Sequence, residues 1–190
     1  MTAIACFWLD PVPFARRTLR RYHPGAGRDC RGGRLSYHNA EVTIEERVPW
    51  AEAHHGLGDD SHDHDDPRWP VACACGYVFA PEDAWQHNLH RLFERSDGLT
   101  PATLQDAPPG AMWDAAWMGA DCRGPDGLAL CLRTPGGDWL VDGQSSGGGR
   151  WSRSGKPPEV TANPSILIGS PGIGSGVYHG WLRAGVLVGV

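Results

Sequence analysis

Pro81-Glu-Asp-Ala-Trp-Gln-His-Asn-Leu-His-Arg-Leu-Phe-Glu-Arg95 is the stretch on which the fold class turns. Proline at the first position, acids in the first turn and Trp85, Leu89, Leu92 and Phe93 at i, i+4, i+7 and i+8 all agree on one apolar helical face. His87 and His90 fall off that face. The spacing therefore predicts a helix over 81–95, packing Trp85, Leu89 and Phe93 against a sheet.

Everything around that stretch reads as strand and turn. The 190 residues hold 26 Gly and 16 Pro, which disfavours further long helices, and nine Trp, which suit a pleated, half-buried surface. Leu128 to Asp142 is two strand-like runs around Pro135-Gly136-Gly137, and Val177 to Val188 is a second hairpin turning at Ala184-Gly185. Cys6-Phe-Trp-Leu-Asp-Pro11 reads as a short strand closed by proline. Ala15 to Tyr22 suits either helix or strand, with Thr18, Leu19 and Tyr22 favouring strand. Ser165-Ile-Leu-Ile-Gly169 is a further apolar run. The expected class is α+β and β-rich: short antiparallel strands and hairpins with one main helix, in a single domain over 1–190. Residues 52–66, rich in His, Asp and Gly, offer almost nothing to bury and read as a mobile loop.

The net charge of −5 hides a polarity. Residues 1–38 carry seven Arg against Asp10 and Asp29, a net of +5, whereas 41–66 carry Arg47 against nine acids, a net of −8. Two such segments are expected to lie against each other or to be solvated, and nucleic acid is not the expected partner. The N-terminus lacks a basic region followed by a long apolar stretch, and no segment has the apolar length of a membrane span. The expected location is inside the host cell or in a virion.

In that setting the six cysteines read as thiols or metal ligands rather than as a disulfide framework. Cys73-x-Cys75 is the candidate half-site, because i and i+2 of an extended backbone face one side and both sulfurs can converge on one ion. Alone, the pair is weak evidence, and two buried, inert thiols explain it better. Candidates for the remaining ligands are His179, Cys30 and His38, with Cys122 behind them; Cys131 alternates within a strand and reads as core. The His54, His55, His62 and His64 cluster has nothing to preorganise it. No phosphate-binding loop is present: Gly169 to Gly176 lacks a lysine, and no Ser or Thr follows Lys156. Nor does a Gly-x-Ser-x-Gly, a His-Glu-x-x-His or a paired-carboxylate helix occur, so hydrolase chemistry finds no motif.

Several segments together resemble a family. Cys6-Phe-Trp-Leu-Asp-Pro, Arg20-Arg-Tyr, Tyr37-His-Asn-Ala, Cys73-Ala-Cys-Gly-Tyr-Val-Phe, Trp85-Gln-His-Asn-Leu, Pro108-Pro-Gly-Ala-Met-Trp-Asp-Ala and Tyr178-His-Gly-Trp-Leu-Arg are similar to an uncharacterised protein family of actinobacteriophages and their prophages. The resemblance spans nearly the whole chain and brings no established activity. More distantly, Cys73-x-Cys-Gly with Pro164-Ser-Ile and His179-Gly-Trp-Leu-Arg-Ala-Gly resembles small proteins encoded near bacterial ubiquitin-like conjugation operons. That second resemblance implies a zinc site using the Cys-x-Cys pair, a cysteine shortly before the final histidine, and that histidine. Gly169 to Tyr178 holds no cysteine here, and Ser145 to Gly149 stands where the phage relatives tend to carry cysteines. Cys73, Cys75 and His179 therefore carry over; either Cys30 or His38 replaces the fourth ligand, or the metal has been lost.

The leading expectation is a non-enzymatic phage-derived interaction or assembly module with a structural zinc and a protein partner such as a capsid or tail protein. The rival is a metal- or cysteine-dependent enzyme, or enzyme accessory, acting on protein or nucleic acid, with Cys75 or a zinc-bound water at work and His179 as base or ligand; it needs an open zinc position.

Overall fold

The computed structural model describes residues 3–24, 30, 37–49, 63–144, 148–169 and 177–190, the side chains of 45–47 and 49 excepted. The chain gathers into two compact units, Met1–Pro11 with Phe93–Val190, and Val12–Leu92.

The first unit contains a five-stranded antiparallel sheet in the order β1 (Ala3–Ala5), β11 (Val186–Gly189), β10 (Tyr178–Arg183), β9 (Thr161–Ile168), β8 (Ser152–Ser154). β10 and β11 form the expected terminal hairpin. Its turn residues Ala184 and Gly185 both take positive φ, 43° and 74°, as a tight two-residue hairpin turn requires. The expected hairpin around Pro135 to Gly137 is β6 (Leu130–Thr134) with β7 (Gly137–Leu140), and β6 also pairs with β5 (Ala111–Asp114). β5 runs parallel to the start of β2 (Phe7–Pro24) at Phe7 and Trp8. Met112, Leu132 and Trp139 from this group pack with Ile166, Leu182 and Leu187 of the five-stranded sheet in one core. Phe7, Leu9, Phe93 and Trp113 belong to a second.

In the second unit, β2 continues and pairs antiparallel with β3 (Tyr37–Pro49) from Phe14 to Pro24. The reading of Cys6–Pro11 as a strand closed by proline is thus corrected: β2 starts at Phe7 and runs on to Pro24. Pro11 and Pro13 fall between the pairing with β5 and the pairing with β3, where neither ladder asks them for an N–H. The same pairing lays β3, the start of the acidic segment, along the Arg-rich run, with Arg20 opposite Glu41.

The helix expected over 81–95 is also corrected. Residues 81–83 form a turn, and Ala84–Arg95 is a strand, β4, paired with β2. The proline and acids that mimic a helix start build the turn instead: the Asp83 N–H donates to the Ala80 carbonyl (3.0 Å), and the Ala80 N–H donates to the Asp83 carboxylate (2.8 Å). Helix propensity is a weak prior, and the unpaired backbone of a long strand outcompetes it. His90 meets the Thr18 hydroxyl at 3.3 Å and Arg20 donates to Gln86 at 3.0 Å across the pairing. Among the described residues no α-helix occurs, only a 3-10 turn at Ala120–Cys122, and no helix is long and apolar enough to cross a membrane. Of the loop read over 52–66, residues 52–62 lie outside the described residues.

Candidate metal centre

Residues 71–79 fold into a small hairpin. Phe79 N–H donates to the Val71 carbonyl (3.0 Å), Ala72 bridges Val78, and Cys73 N–H donates to the Tyr77 carbonyl (2.8 Å). The turn between the two arms is Cys73-Ala-Cys-Gly76, closed by Gly76 N–H to the Cys73 carbonyl (2.9 Å), with Gly76 at φ +93°, where a side chain would be strained. Cys73 and Cys75 are therefore presented by a turn rather than by the extended strand end the spacing suggested. Cys73 is buried and Cys75 exposed.

Two further donors come to this turn. Cys30 Sγ lies 3.5 Å from Cys73 Sγ, and His38 Nδ1, from β3, lies 3.2 Å from Cys75 Sγ. The four donor atoms all lie within 4.8 Å of one another. A tetrahedral zinc with sulfur ligands at about 2.3 Å has donor–donor edges of roughly 3.8 Å, so the gathering has the dimensions of a Cys3His metal centre. Both of the residues weighed as a fourth ligand, Cys30 and His38, are in the group.

His179 is not. It sits exposed on β10 of the other unit, opposite Leu167, with its ring 6.1 Å from that of Trp181. The four-donor group gathers Cys73 and Cys75 without the expected His179; within its own unit His179 is a sheet-face residue of β10. Cys122 is in the 3-10 turn, half-buried against the second core cluster, and Cys131 lies on β6 against the same cluster.

Electrostatics separates the thiols. Burial alone would raise Cys73, but hydrogen bonds from the backbone of Cys75 and Asn39 and from the thiols of Cys30 and Cys75 bring it down to about 6. Cys6 is pushed up to about 11 by burial, against a hydrogen bond from the Leu187 backbone N–H; Cys131 is pushed up to about 12 by burial and by the nearby Asp138 and Asp114. Thiolate is the metal-binding form, so the cluster is the favoured place for it and the two core thiols are not.

A supporting layer surrounds the cluster. Tyr77 stacks face to face on the His38 ring, centroids 4.1 Å apart and planes within 4°, and on its own stacks with His23 at 5.1 Å. The Tyr77 hydroxyl donates to Asp83 (3.1 Å), whose other oxygen lies 2.5 Å from His23 Nδ1. Burial opposes the Asp83 charge, yet the Ala80 N–H, His23 and Tyr77 hold its carboxyl below the usual range. Such outer contacts orient a ligating imidazole before the ion arrives. Sequence reasoning missed Tyr77, Asp83 and His23; their one legible signal is that Tyr77 and Asp83 closely follow Cys75.

Comparison with known proteins adds no relative: no family model, no curated protein and no solved structure matches the chain.

Proposed function

We propose that Val12–Leu92 is a zinc-stabilised β module and that the protein is a non-enzymatic interaction or assembly component. The observation that carries the reading is the donor set: Cys30, His38, Cys73 and Cys75 supply four ligand atoms within 4.8 Å of one another, enough to fill a tetrahedral site. Catalytic zinc keeps a position for water or substrate, whereas structural zinc fills all four with protein. Three thiolates and one imidazole also match a borderline-soft ion better than they match Mg²⁺ or Ca²⁺. The sequence resemblance to phage proteins supports assembly, in the host cytoplasm or the virion, over catalysis.

Elemental analysis of protein purified without added metal tests this. One zinc per chain is expected, retained in His179→Ala and lost in Cys30→Ser, Cys73→Ser and Cys75→Ser. Metal-free protein that folds normally, or zinc that depends on His179, would remove the proposal.

A further inference from the structure

Two of the four donors in the cluster are placed for a second chemistry. Cys30 Sγ and Cys73 Sγ are 3.5 Å apart, in contact and closer than the roughly 3.8 Å edge of a tetrahedral zinc site. Cys73 is buried in the turn of the 71–79 hairpin. Cys30 is half-buried beside it, with its Sγ also 3.7 Å from the carbonyl of Tyr37 at the start of β3. A disulfide is about 2.05 Å long, so the pair has only about 1.5 Å to close. Cys6, Cys122 and Cys131 pack instead against the core clusters of the first unit.

We propose that Cys30 and Cys73 are a site of oxidation by hydroperoxides, and that the disulfide they form expels the zinc. The inference rests on the reading of the cluster as a zinc centre and adds the regulation of that centre.

A thiol that coordinates zinc is deprotonated, so the metal itself keeps both nucleophiles ready. Susceptibility follows thiolate character and exposure, which within this pair puts the half-buried Cys30 before the buried Cys73. With hydrogen peroxide, the Cys30 thiolate attacks one oxygen: the S–O bond forms, the O–O bond breaks and hydroxide leaves, giving a sulfenic acid. The Cys73 thiolate then attacks that sulfur; the S–S bond forms, the S–O bond breaks and a second hydroxide leaves. Each sulfur gives up one electron, and the two electrons reduce the peroxide to hydroxide. A disulfide sulfur no longer carries the charge that binds the ion, so zinc is left with His38 and Cys75, two ligands where a structural site uses four. Cys75 is more exposed than either, but a bond from it to Cys73 would have to close over a single residue, in a turn already tied by Gly76 N–H to the Cys73 carbonyl (2.9 Å).

Hydrogen peroxide titrated into the zinc-loaded full chain tests this, with a chromogenic chelator reading released zinc and peptide mass spectrometry under non-reducing conditions locating the disulfide. The expected result is one zinc released for each Cys30–Cys73 disulfide formed, both reversed by dithiothreitol, while Cys6, Cys122 and Cys131 stay reduced. Cys122→Ser, outside the cluster, should leave the yield unchanged. Zinc that stays bound under peroxide overturns the proposal and leaves the metal reading standing, as does a linkage that runs through Cys75 or between chains. A Cys30–Cys73 disulfide in protein that never held zinc would remove the metal reading and keep the pair as an oxidation site. Protein with neither zinc nor that disulfide would remove both.

Discussion

Among the described residues, the unit containing Phe93–Val190 gathers eleven buried residues into one core cluster and eight into another, whereas Val12–Leu92 gathers Leu19, Ile44 and Trp69 with the half-buried Trp85 beside them. The second unit also buries Thr18, Arg21, Asp83 and His87, against Thr103, Thr134 and Asp142 in the first. Arg21 lies over the Trp85 ring at 3.6 Å and donates to the Ala80 carbonyl, and His64 stacks on Trp85 at 4.5 Å. Hydrophobic burial at about 25 cal/mol per Å² can carry the first unit; in the second, the described residues add only Ala15, Val48, Cys73, Phe79 and Leu92 to that cluster, a smaller apolar set against the ordering entropy. A small core of that kind needs a staple, and the four-donor cluster is the feature able to provide one.

Removing the metal should break the comparison most severely. Structural zinc contributes about 10–16 kcal/mol in zinc-finger peptides. Chelation, or Cys73→Ser, should therefore strip hydrogen-exchange protection from β3 and the 71–79 hairpin while β9, β10 and β11 stay protected. Equal loss in both units would show that they do not differ in this way.

Core truncation sharpens the other half. Leu182→Ala, at a residue with 0% exposure, should cost about 2–5 kcal/mol by denaturant titration and leave zinc stoichiometry unchanged. Trp85→Ala should cost less, about 2 kcal/mol, because the ring is only half-buried and part of its contribution is the Arg21 contact. A larger loss for Trp85 than for Leu182 would contradict the assignment of the two cores.

The smallest effect is the pH dependence of an ion-pair network in the first unit. Arg153 donates to Asp126 (2.5 and 2.9 Å) and to Asp142 (2.7 Å). The hydrogen bonds from Arg153, against partial burial, hold the Asp126 carboxyl below its usual range. A depressed carboxylate contributes stability that is fully present above its unfolded value, near 4, and is lost as the pH falls through the lower folded value. Asp126→Asn should flatten that acid limb, read as thermal stability between pH 2 and 5, by less than about 1 kcal/mol for a partly exposed pair. An unchanged limb would assign it to other carboxylates, Asp83 first.

Both hairpins and the strand character of Ala15–Tyr22 were legible in the residues, because period-2 apolar patterns around Pro-Gly-Gly and Ala-Gly turns are local signals. Strand β4 was not. Trp85, Leu89, Leu92 and Phe93 satisfy a helical face, while Trp85, Leu89 and Phe93 equally share one face of a strand, and only the presence of β2 alongside decides between them. The metal centre divides in the same way. Cys73-x-Cys75 and the candidacy of Cys30 and His38 follow from residue chemistry alone. Choosing His38 and Cys30 over His179 required knowing that β3 returns along β2 and carries His38 to the Cys73–Gly76 turn. Composition and local pattern settle which groups are chemically able to ligate and which segments pair with their neighbours in sequence. Which distant groups meet depends on long-range strand pairing, whose free energy comes from contacts that no local window contains.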